Sequence, residues 1–144
     1  MYKFLLTTDG SENSLQAARH LLSVINNYHD PKIYAVAVYN MRMVVNTEAT
    51  LPAIEYSRYT KIAKKFARDA MSKTVAIFQE TGIEVKDIIK EGEPGRVIAD
   101  TASSLDIDQI VMGASGVGKV KELFMGSVNR KVISLSPIPV TIAK

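Results

Sequence analysis

The chain has 144 residues, 47% hydrophobic and 23% charged, with a formal net charge of +3. That balance excludes global disorder and supplies enough apolar volume for one packed domain over residues 1–144. It contains no cysteine, which excludes disulfides, zinc-thiolate centres and thiol catalysis.

The N-terminal run Phe4-Leu5-Leu6-Thr7-Thr8 reads as a short buried strand, and it turns polar at Asp9-Gly10-Ser11. The run is too short for a signal-peptide core, so a cytoplasmic protein is expected. Ser11 is a candidate N-cap for a helix whose apolar positions are Leu15, Ala18, Leu22 and Ile25. A second strand is predicted over residues 33–39 and a looser stretch over 40–51. Pro52 suits the first turn of a long helix. Its inward face is predicted to carry Tyr59, Ile62, Ala63, Phe66, Ala70 and Ile77. Lys61, Lys64, Lys65, Arg68 and Asp69 form its solvated side. Gly82 is placed as the residue that ends it.

A third strand is predicted over 83–90. Pro94 then opens a third helix that turns Val97, Ile98, Thr101, Ala102 and Leu105 inward. The fourth strand, Gln109-Ile110-Val111-Met112, leads into a glycine-rich loop. A last helix over 127–135 and a strand over 138–143 close the chain. Alternating strands and helices imply a mostly parallel sheet covered on both faces. Ligands of such sheets sit at the C-terminal strand ends, where strand order reverses. The loops after the first and fourth strands would meet there.

The glycine loop carries the chemistry. Glycines admit positive φ and close backbone approach, and free N–H groups at a helix N-terminus suit phosphate oxygens. The segment from Gly113 to Lys119 fits the P-loop pattern G-x-x-x-x-G-K, but Val120 stands where a Ser or Thr must hold Mg²⁺. The segment also lies too near the C-terminus for a P-loop sheet to follow. A second pattern uses more residues: Gly113, Gly116 and Gly126-Ser127 form G-x2-G-x9-G-S.

That pattern, with Thr8-Asp9-Gly10-Ser11, Gly92-Glu93-Pro94 and Ser136-Pro137-Ile138-Pro139-Val140, resembles the ATP-binding branch of the universal stress protein family. The resemblance covers nearly the whole chain. It implies a Rossmann-like, five-stranded parallel sheet in the order 3-2-1-4-5, with an adenine nucleotide at the switch point. It implies that Asp9 contacts the ribose or adenosine end and that the Val38 backbone lies against adenine. Gly113 and Gly116 would approach ribose and phosphates. Gly126, Ser127 and Val128 would bind phosphates through backbone N–H groups and the Ser127 hydroxyl. Thr8 and Met112, at the two strand ends, complete the expected set. Mg²⁺ or Mn²⁺ would bridge phosphate oxygens. Ser115 and Lys119 depart from the family pattern, and Lys119, Lys121 and Arg130 add positive charge nearby.

The expected function is a nucleotide-binding regulatory or stress-response module with at most slow ATP hydrolysis. The alternatives are a genuine ATPase or self-phosphorylating phosphotransferase, and a flavin-binding electron-transfer module. No catalytic residue is nominated, His20 and His29 included, and no metal-ligand cluster is found. The mild basicity, with a pI of about 9.1, lacks an evident stripe or aromatic platform, so neither nucleic acid nor membrane is an expected partner. A homodimer is expected through residues 138–143, where Ile138, Val140 and Ile142 alternate on an edge strand.

Overall fold

The computed structural model describes residues 1–45, 51–114 and 126–144. Five strands, β1 (Tyr2–Thr7), β2 (Pro31–Tyr39), β3 (Val85–Glu91), β4 (Gln109–Gly113) and β5 (Val140–Ala143), form one sheet in the order β3-β2-β1-β4-β5. Every pairing is parallel. Among the described residues four α-helices connect them: α1 (Glu12–Val24), α2 (Ala53–Gln79), α3 (Pro94–Ser104) and α4 (Ser127–Leu135). This is the expected α/β architecture and strand order.

β1 is central, and both of its faces are covered. Phe4 and Leu6 pack with Ala17, Ala18 and Leu21 of α1. Leu5 points the other way, into a cluster with Ile98 and Ala102 of α3 and Val132 of α4. A strand buried on both sides reads as a continuous apolar run, as this one does. α2 packs over β2, with Ala63, Ala67 and Met71 against Ala35 and Ala37.

The helix ends follow local chemistry. The Ser11 hydroxyl accepts from the Ser14 N–H at 3.3 Å, capping α1. Pro52 is itself the N-cap of α2 rather than a residue of its first turn. Glu93 caps α3, its carboxylate accepting from the Gly95 and Arg96 N–H groups. Gly82, at φ +72°, turns the chain after α2.

Two expectations are corrected. The buried stripe of α2 is Ala63, Ala67, Ala70, Met71, Thr74 and Phe78. Of the predicted inward residues only Ala63 and Ala70 belong to it; Ile62 and Phe66 are 38% and 50% exposed. The final strand starts at Val140, so Ile138 precedes it. Pro137 and Pro139 flank Ile138 and disfavour ladder bonding there.

Candidate functional site

The strand order reverses between β1 and β4, whose C-terminal ends leave a cleft of about 490 Å³. Eight of the nine residues singled out from the sequence line it: Thr8, Asp9, Val38, Met112, Gly113, Gly126, Ser127 and Val128. Gly116 lies outside the described residues, as do Ser115, Lys119 and Lys121.

The loop after β1 is held from below. The Asp9 carboxylate accepts from the Ser11 N–H at 2.9 Å, an Asx turn that fixes the start of α1. Thr8 is buried; its hydroxyl accepts from the Gly10 N–H at 3.1 Å and lies 3.2 Å from the Ser14 hydroxyl. Thr74 of α2, fully buried, brings its hydroxyl oxygen within 2.7 Å of that of Thr8. Gly10 has φ +78°, and a Cβ there would press on Ala70 at 3.0 Å. Only glycine satisfies both conditions.

Gly113 also serves close approach. A Cβ at this position would overlap the backbone carbonyl of Asn13 in the first turn of α1. The Gly113 carbonyl accepts from the Asn129 side-chain amide at 3.0 Å, joining the end of β4 to α4. Gly126 sits at φ −60°, ψ 158°, as the N-cap of α4 with no side-chain cap bond. Positive φ is therefore not what glycine supplies at this position. Gly126 brings no side chain to the first-turn N–H groups of α4, and Gly126, Ser127, Val128 and Asn129 line the cleft.

The cleft lining is chemically mixed. Val36, Val38, Met43, Ile98 and Met112 are apolar, while Asp9, Ser11, Ser14, Ser127 and Asn129 are polar. Asp9 is the one ionisable side chain among the described lining residues. Arg130 is exposed and outside the lining, as are His20 and His29.

Among the lining residues that sequence reasoning missed are Ser14, Met43, Pro94, Ile98 and Asn129. Ser14 was readable in principle, because it stands one helical turn after the N-cap and so faces back over the loop it caps. Pro94, Ile98 and Met43 carried no such signal. They reach the cleft because α3 and the segment after β2 cross the same sheet end.

An open parallel sheet with a cleft at its reversal point places the chain among the doubly wound α/β proteins. The chain belongs to the universal stress protein family, whose model matches residues 1–144. A universal stress protein of Thermus aquaticus is 30% identical over 148 residues, covering 100% of both chains. Universal stress protein UspA from Lactobacillus plantarum has a similar fold: TM-score 0.81, 22% identity, 99% of this chain and 97% of that one. A family protein from Arabidopsis thaliana, with AMP bound, superposes with TM-score 0.70 at 20% identity, over 100% of this chain and 92% of that one.

Proposed function

We propose that this chain is an adenine-nucleotide-binding universal stress protein, acting as a regulatory module that takes ATP with Mg²⁺ or Mn²⁺ and hydrolyses it slowly at most. The observation that carries the reading is the convergence of Asp9, Gly113 and the N-terminus of α4, which has no side-chain cap bond among the described residues, on one cleft that apolar side chains also line. A base and a polyphosphate need those two kinds of lining together. Val38 and Met43 offer apolar contact to a purine, and Asp9 offers a carboxylate to ribose hydroxyls. The Ser127 hydroxyl and the first-turn N–H groups of α4 offer donors to phosphate, reinforced by the helix dipole. The AMP held by the Arabidopsis relative supports the ligand class.

A divalent ion would be held chiefly by the phosphates, with Asp9 the described carboxylate within the cleft. Its chemistry there would be charge neutralisation. The described lining supplies binding groups and a single carboxylate, which fits retention better than turnover; efficient hydrolysis also needs a group that orients water. We place the protein in the cytoplasm, as one domain, self-paired along β5.

The test is calorimetry and thermal unfolding with ATP, ADP and AMP, each with and without Mg²⁺. A ligand that binds only the folded state stabilises it by about 2.7 kcal/mol at a hundredfold excess over Kd. Ser127→Ala is expected to weaken binding by about 0.5–3 kcal/mol. A purified chain free of nucleotide, showing no heat and no thermal shift at millimolar nucleotide, would overturn the proposal.

A further inference from the structure

We propose that the exposed face of α2 is a docking surface for an acidic amphipathic helix of a partner protein. α2 carries six cationic and two acidic side chains, a net +4 against +3 for the whole chain. Four of the cations, Arg58, Lys61, Lys65 and Arg68, recur at i, i+3, i+7 and i+10 and are exposed. On a helix that spacing forms one stripe, about 15 Å long. None of the four makes an ion pair among the described residues, where the pairs are Arg19–Glu12 and Lys32–Asp30.

Ile54, 78% exposed, stands in line with the stripe one turn before Arg58, and Ile62 and Phe66, 38% and 50% exposed, stand to one side of it. Ile62 and Phe66, at i and i+4, are neighbours on the helix surface and form one exposed apolar strip. The start of the helix is anchored. Tyr56 donates its hydroxyl to the Glu91 carboxylate at 3.1 Å, tying the first turns of α2 to the end of β3.

The occupant follows from the arrangement. A second copy would oppose its own cationic stripe, a like-charge juxtaposition that disfavours association. A nucleic-acid backbone would reward the cations but leave Ile54, Ile62 and Phe66 in water. A bilayer takes a helix with its apolar residues central and its cations at the flanks. Here the cations are central, and Ile62 and Phe66 lie about 80–120° round from Ile54, to one side. A partner helix with a carboxylate stripe beside an apolar stripe meets both features at once.

The experiment measures fluorescence anisotropy of a labelled acidic amphipathic peptide of Glu and Leu titrated with the full chain. A shuffled peptide of equal composition and phosphatidylglycerol vesicles run in parallel. The amphipathic peptide is expected to bind, and to weaken between about 50 and about 500 mM salt. Arg58→Glu with Lys65→Glu, and separately Ile54→Ser with Phe66→Ser, should each reduce affinity about tenfold or more. Circular dichroism should show both variants folded, since all four residues are exposed. Equal binding of the shuffled peptide overturns the proposal, as does unchanged affinity in either variant. Binding of the vesicles without the peptide also overturns it, in favour of a lipid surface.

Discussion

At the scale of single residues, the cleft rests on a side chain that does not line it. Thr74 sits on α2 with its hydroxyl oxygen 2.7 Å from that of Thr8 and 2.9 Å from the Ala70 carbonyl oxygen. Thr8 in turn holds the Gly10 N–H. Thr74→Val keeps the shape and removes one member of this buried hydroxyl chain. A buried polar group left short of a partner costs about 1–3 kcal/mol, so urea midpoints should fall accordingly. The Gly10 amide should also exchange with solvent faster than in the unmodified chain. Thr74→Ser should restore most of both effects. A Thr74→Val protein with unchanged Gly10 exchange would show that the contact does not hold the loop.

At the scale of elements, α2 shows how a correct helix can carry a misplaced face. Its sequence has two apolar stripes, one with the large residues Ile62 and Phe66, the other with Ala63, Ala67, Ala70 and Met71. Choosing the large side chains is natural when hydrophobicity is weighed residue by residue. The structure packs Ala63, Ala67 and Met71 against Ala35 and Ala37 of β2. Where α2 crosses β2 the contact is made by alanines on both elements together with Met71, and Phe78 is buried further along, in the cluster of Phe4 and Leu6. Two substitutions of the same residue type test this. Phe78→Ala, at a fully buried position, should cost about 3–5 kcal/mol. Phe66→Ser should stay within about 0.5 kcal/mol of the unmodified chain. Equal costs in chemical denaturation would mean the register of α2 is wrong.

At the scale of the whole molecule, the two sheet edges differ. β3 places Lys86, Asp87, Lys90 and Glu91 along one edge, and charges of this kind discourage edge-to-edge pairing. β5 has no charge within Val140–Ala143. The carbonyls of Pro139 and Ala143 accept from the Ile110 and Ala114 N–H groups of the β4 side. By the alternation of a strand, Val140 and Ile142 then turn their backbone groups to the free edge. Their side chains already pack on the α3–α4 cluster, so self-association would use the backbone rather than an apolar face. Sedimentation equilibrium at tens of micromolar should give twice the 15.8 kDa chain mass, and Val140→Pro, which removes an outward N–H, should shift the dimer toward monomer. A monomer in the unmodified protein would end this expectation.

What the sequence determined by itself was local or periodic. The element succession, the Ser11 cap, the start of α3 at Pro94 and the bounds of α4 were all legible. Caps, prolines and apolar runs act over one or two turns, so their signals lie within a few neighbouring letters. Eight of the nine residues singled out through the glycine pattern, the strand ends and the family resemblance line the cleft, where they make up eight of the seventeen described lining residues, and the strand order came through family resemblance rather than periodicity. The tertiary structure decided which stripe of α2 faces the sheet, since that face packs on residues of β2 some thirty positions away. It also brought Met43, Ile98 and Asn129 to the cleft and Thr74 beneath Thr8. Each meets its partner across the sheet or between helices, and a contact set by packing of distant segments leaves no spacing in the chain from which to read it.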